Sequence, residues 1–150
     1  MPRGTRRLPE ECLRLLGEAD LILHAGDFTA LSVFDALGEL APVQGVAGNM
    51  DDADLGTRLP KRRVVEADGL LIGMVHDAGP AHRRAERLVE AFPGCAAVVY
   101  GHTHLPEAFQ AGETWVLNPG SPTERRSSPH HSMIVLEVAG GFLDVRTHVL

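Results

Sequence analysis

The stretch VVYGHTHLP, Val98 to Pro106, closes an apolar run on a glycine, two histidines one residue apart and a proline. With Ala96 and Ala97 in front of it, the run 96–100 holds five apolar residues without a charge, the pattern of a strand buried on both faces. A strand covered on both faces needs a layer above it and a layer below it. GHTH then places two imidazoles at the strand's carboxyl end, where sites form in open α/β sheets. Taken alone, a histidine after a strand is more often a hydrogen-bonded loop residue than a ligand. Its neighbours in space decide.

Upstream, Leu8, Cys12, Leu15, Leu16 and Ala19 recur at helical spacing behind Pro9. LILH, residues 21–24, is a short apolar strand stopped by Gly26. Ala30, Val33, Phe34 and Leu37 predict a second helix, and residues 42–48 a second strand. RRVVEADGLLIGMVH reads as two strands around the hairpin signal Asp68-Gly69. Ala81, Ala85, Leu88, Val89 and Phe92 give a third amphipathic helix. Beyond residue 106 the pattern is all β, with turns at Ala111-Gly112 and Gly140-Gly141. Alternating elements followed by hairpins imply a sheet-based α/β sandwich. A right-handed crossover needs a strand before its helix, yet the first helix has none.

The chain has 150 residues, 44% of them hydrophobic, which suits one globular domain with a real core. A net charge of -6 argues against a general nucleic-acid or anionic-membrane binder. The basic clusters RGTRR, KRR and ERR read as solvated surface. Cys12 and Cys95 lack any zinc or disulfide spacing, so a reducing cytoplasm is expected. No signal peptide is evident, and no run approaches the ~18 apolar residues of a membrane span.

Metal-ligand residues follow four predicted strands: Asp27 in HAGD, Asn49 in AGNMD, His76 in GMVHD, and His102 with His104 in GHTH. Each signal is weak alone, but strand ends of one sheet converge in space. Carboxylate, amide oxygen and imidazole together suit a borderline divalent ion such as Mn²⁺, Fe²⁺, Ni²⁺ or Zn²⁺ better than a thiol-rich structural site. Two such ions about 3.5 to 4 Å apart clamp a phosphoryl group and acidify water.

The ordered set GD (Gly26, Asp27), GN-x-D (Gly48, Asn49, Asp51), His76, GHTH (Gly101 to His104) and NPGS (Asn118 to Ser121) resembles the calcineurin-like metallophosphoesterases, and among them the small bacterial and archaeal phosphodiesterases. The resemblance implies a four-layer α/β/β/α sandwich and two divalent ions (Mn, Ni, Fe or Zn). It also implies a small phosphodiester substrate, cleaved by a hydroxide held between the ions. Asp27 would bridge the ions, Asn49, His76 and His102 would complete one metal's ligands, and His104 would serve the other; Asp27, Asn49 and His76 are also the expected catalytic residues.

In the family, the other metal also takes an Asp and a His from a D-x-H motif after a first strand. This sequence lacks that motif, and Met1-Pro2-Arg3-Gly4 resembles the loop that follows it. The expectation is an N-terminally truncated chain, short by roughly ten residues, holding one ion rather than two. Met50 stands where many relatives place a histidine, so a proton donor is absent there. Two rival readings remain: a scaffold, as in a eukaryotic retromer subunit of similar fold, and a pseudoenzyme binding one metal. Homo-oligomerisation is left open.

Several residues have simpler readings. His24 is expected to be a buried, hydrogen-bonded structural residue, His82 exposed, and His130 and His131 loop residues. Asn118 to Ser121 should form a tight turn beside the site, Asp51 should orient a ligand, and Phe109 and Trp115 should be core.

Overall fold

A computed structural model describes residues 7–150; RGTRR and the expected loop 1–4 lie largely outside them. Helix α1 (Glu10–Gly17) follows Pro9, carries Glu10 and Glu11 in its first turn, and buries Cys12. Acidic residues there complement the helix dipole. Strand β1 (Ile22–His24), α2 (Leu31–Gly38), β2 (Val43–Gly45) and the short α3 (Ala53–Arg58) follow. β1 and β2 are parallel, with Leu23 opposite Gln44.

Next come β3 (Arg62–Ala67), β4 (Leu70–Val75), α4 (Arg84–Ala91), β5 (Ala97–Tyr100), β6 (Glu107–Ala111) and β7 (Thr114–Asn118). They build a five-stranded sheet in the order β3-β4-β5-β7-β6. β4, β5 and β7 run parallel, and antiparallel hairpins supply both edges. β8 (Ser132–Ala139) and β9 (Phe142–Val149) form a separate antiparallel ribbon. The turns expected at Asp68-Gly69 and Gly140-Gly141 hold, while the one expected at Ala111-Gly112 falls a residue later, at Gly112-Glu113. Asp68 and Gly69 have φ of 45° and 81°, and Gly140 and Gly141 of 58° and 80°, the left-handed pair that two-residue hairpins require. The chain is thus α/β, with mixed sheets and flanking helices.

All four residues of β5 are buried. Successive side chains of a strand point to opposite faces, and β5 accordingly serves two cores. Ala97 and Val99 pack with Ile72, Met74 and Leu117 against residues of β1, β8 and β9, whereas Val98 and Tyr100 pack against Leu88 and Phe92 of the α4 side. A third cluster of Ile22, Phe28, Leu37 and Leu55 joins β1 to α2 and α3. Among the described residues no helix is long and apolar enough to cross a membrane.

The structure departs from the sequence reading in four further places. α3 was not expected; Asp52 caps it by accepting from the Leu55 N–H at 2.9 Å, and Leu55 alone anchors it. α4 begins at Arg84 rather than Ala81, because Arg83 adopts a left-handed φ of 49°. Phe109 is 42% exposed on edge strand β6, so it is not core, while Trp115 packs against the core as expected. The Nδ1 of His24 is sealed from solvent but has no hydrogen-bond partner among the described residues; the ring instead stacks on Phe28 at 3.6 Å.

Candidate metal centre

Asp27 follows β1, Asn49 follows β2, His76 follows β4, and His102 and His104 follow β5. Because β1 and β2 are parallel to each other, as are β4 and β5, each pair delivers its carboxyl ends to a single place. Asp27, His102 and His104 all have left-handed φ, of 62°, 66° and 60°. Such conformations cost about 1–3 kcal/mol each, and they concentrate at functional sites.

His76 is the centre of the cluster and is 6% exposed. Its Nδ1 lies 2.7 Å from the carbonyl oxygen of Ala25. A carbonyl only accepts, so Nδ1 carries a proton, and in the neutral ring Nε2 presents a lone pair. That lone pair faces the Asn49 Oδ1 at 2.9 Å and the Asp27 Oδ1 at 3.4 Å. His102 Nδ1 lies 3.1 Å from the same Asn49 oxygen and 3.4 Å from His76 Nε2. The two rings meet edge to face at 5.2 Å.

In the neutral state of His76, lone pairs of an imidazole, an amide oxygen and a carboxylate converge, and each repels the next. A cation shared between them removes that repulsion. Among the described residues, His, Cys, Asp and Glu side chains alone form no cluster of three in ligand geometry; the Asn49 amide oxygen is what joins the others. A histidine that gives its second N–H to a backbone carbonyl is also held in the tautomer a metal needs. His104 is arranged the same way, donating from Nδ1 to the Glu124 carbonyl at 2.8 Å, and burial holds its pKa below the ordinary value. Among the described residues no hydrogen bond joins His104 to the other four candidates, although it lines the same cavity as Asp27, His76 and His102.

Backbone geometry keeps the cluster tight. A Cβ on Gly48 would lie 2.1 Å from the Asp27 nitrogen and 2.2 Å from its Oδ1. Glycine is the only residue that allows this approach. Asp51 accepts from the N–H of Thr29 at 2.9 Å and of Gly48 at 2.7 Å, which ties the loops carrying Asp27 and Asn49 together. Met50 donates its N–H to Asp27 Oδ1 at 2.8 Å. Asn118 supports GHTH from below, donating to the Gly101 carbonyl at 3.1 Å and to the Thr103 hydroxyl at 2.9 Å, while its own oxygen accepts from Gly120 N.

Residues 4–141 match the calcineurin-like phosphoesterase superfamily domain. The chain belongs to that superfamily. This calcineurin-like domain is 34% identical over 148 residues to a probable metallophosphoesterase of Methanothermobacter thermautotrophicus, covering 96% of this chain and 84% of the relative. The solution structure of a Thermotoga maritima protein aligns with a TM-score of 0.73 at 33% identity, covering 95% of this chain and 88% of the other. A Vps29 variant of Entamoeba histolytica aligns with a TM-score of 0.76 at 23% identity, over 100% of this chain and 94% of that one, and shows likeness of fold.

Two contributors to this calcineurin-like site escaped the sequence reading. Arg126, in the ERR cluster taken for solvated surface, has φ 50° and donates to the His102 carbonyl at 2.9 Å. The carbonyls of Ala25 and Glu124 orient His76 and His104, and no residue type signals a carbonyl. Arg63 of KRR is likewise a tether, donating to the Gly45 carbonyl at 3.0 Å. His82 is exposed as expected; His130 and His131 precede β8, and His131 accepts from the Leu150 N–H at 2.9 Å.

Proposed function

We propose that this chain is a metal-dependent phosphodiesterase, in which Asp27, Asn49, His76 and His102 hold one divalent ion and His104 would be one ligand of a second, whose other ligands in the family come from the D-x-H motif that this sequence lacks. The convergence of His76 Nε2, Asn49 Oδ1 and Asp27 Oδ1 within 2.9 to 3.4 Å carries the reading, since all three are donor atoms that one divalent cation would accept. Mn²⁺, Ni²⁺, Fe²⁺ or Zn²⁺ would supply Lewis-acid polarisation of a phosphoryl oxygen and acidify water. Asp27, whose Oδ1 lies 3.4 Å from His76 Nε2, would be the bridging carboxylate. His76 and His104 present lone pairs held in place by Ala25 and Glu124. Met50 offers no proton to a leaving group, which favours small phosphodiesters whose leaving groups depart without one. The three cores on either side of the two sheet layers support the four-layer α/β/β/α reading of the fold.

The test is hydrolysis of bis(4-nitrophenyl) phosphate by the purified chain supplied with Mn²⁺ or Ni²⁺. Metal-dependent release of nitrophenolate is expected, falling by about 10²-fold or more in Asp27→Ala. Absence of turnover with every divalent metal, or full turnover in Asp27→Ala, overturns the reading.

A further inference from the structure

The loop between β7 and β8 carries a positive charge to the candidate centre, and hydrogen bonds at both of its ends fix where that charge sits. On the near side, Ser121 Oγ accepts from the Glu124 N–H at 3.1 Å, and the Glu124 carbonyl accepts from His104 Nδ1 at 2.8 Å. On the far side, Ser128 N–H bonds the Arg125 carbonyl at 2.8 Å and closes a tight turn, while the buried Ser128 hydroxyl donates to the His130 carbonyl at 2.9 Å. Arg126 is the exposed first corner of that turn, at a φ of 50°. A left-handed backbone is disfavoured for a side chain of this size. The turn holds it there nonetheless.

From this corner Arg126 Nη1 donates to the His102 carbonyl at 2.9 Å, and the guanidinium charge also acts on the His104 ring. Among the described residues no carboxylate pairs with it. The one hydrogen bond to His102 uses one of the five N–H groups of a guanidinium. Tethering a carbonyl needs a single neutral donor, so the bond does not account for the charge. A cation beside two imidazoles that would hold divalent ions works against metal binding, because like charges repel. An anion lying between guanidinium and metal turns that repulsion into attraction on both sides.

From this placement we infer that Arg126 is a substrate-binding residue, which grips the phosphoryl oxygens of the substrate from the His102 and His104 side of the centre. The planar fork of a guanidinium matches two oxygens of a phosphoryl group and pairs with them more strongly than a neutral donor does. The exposed position leaves the fork free to meet a ligand arriving from solvent. The inference rests on the metal centre proposed above and deepens it, giving the substrate's negative charge a protein partner in addition to the metal.

The experiment titrates inorganic phosphate by calorimetry into the Mn²⁺-loaded chain as wild type, Arg126→Gln and Arg126→Lys. Glutamine can still donate to the His102 carbonyl but carries no charge; lysine keeps the charge without the fork. The phosphate Kd should rise about tenfold or more in Arg126→Gln and by less in Arg126→Lys, with bound Mn²⁺ by elemental analysis equal in all three. The kcat/KM for bis(4-nitrophenyl) phosphate should fall in the same order. Equal phosphate affinity in wild type and Arg126→Gln, or Mn²⁺ lost from Arg126→Gln, marks a tether of the GHTH loop and overturns the inference. A wild type that releases no nitrophenolate sinks the phosphodiesterase reading instead, and a tenfold difference in phosphate Kd would still uphold Arg126 as the anion contact.

Discussion

Gly48 and Asp51 set the spacing of the candidate centre without being expected to touch metal. In Gly48→Ala the new methyl would sit 2.1 Å from the Asp27 backbone nitrogen, which cannot withdraw while Asp27 Oδ1 holds Met50 N–H. Loss of bound Mn²⁺ by elemental analysis, with a fall in Tm, is the expected outcome. Asp51→Asn keeps shape but turns one acceptor into an N–H₂ facing a backbone N–H. A buried pair left unmade costs about 1–3 kcal/mol, and urea unfolding should show a loss in that range, with weaker metal binding. Both residues stood out in the sequence through GN-x-D, because short loops keep chain neighbours close. The left-handed φ of Asp27, His102 and His104 and the carbonyls that fix two histidine tautomers left no trace there. They arise from atoms every residue has.

Among the elements, β5 and the hairpins at Asp68-Gly69 and Gly140-Gly141 were legible, since an uncharged run and a left-handed turn pair are local signals. α3 was not. Six residues with a single apolar anchor, Leu55, are too few to display a helical period. Its cap has a measurable role: Asp52 accepts from Leu55 N–H at 2.9 Å and, through its other oxygen, from Leu31 N–H at 3.2 Å, joining α3 to the start of α2. Asp52→Ala should cost about 1–2 kcal/mol by chemical denaturation, while Asp52→Ser should recover part of it. Phe109 shows the opposite failure: an aromatic in a β segment is usually core, but β6 is an edge strand and leaves it in solvent.

For the whole molecule, enclosure of His24 predicts acid sensitivity. Burial lowers its pKa to about 3, below the ~6.5 of an unfolded histidine. Between those values the unfolded chain binds a proton that the folded chain refuses. Stability is therefore fully present above about pH 6.5 and falls by roughly 1.4 kcal/mol per pH unit below it. Urea unfolding at pH 7 and pH 5 should differ by about 2 kcal/mol, and His24→Leu should flatten the slope. Cys12, 2% exposed with a thiol raised to about 11, should resist iodoacetamide until α1 separates from the layer beneath it. The sequence by itself determined the family, the α/β class and which five side chains are of metal-ligand type, because those rest on residue identity and local period. Only the tertiary structure decided that Asp27, Asn49, His76 and His102 come within contact of one another, and that backbone carbonyls orient His76 and His104. Distances between residues 22 to 53 positions apart are set by sheet register and layer packing, which no local stretch encodes.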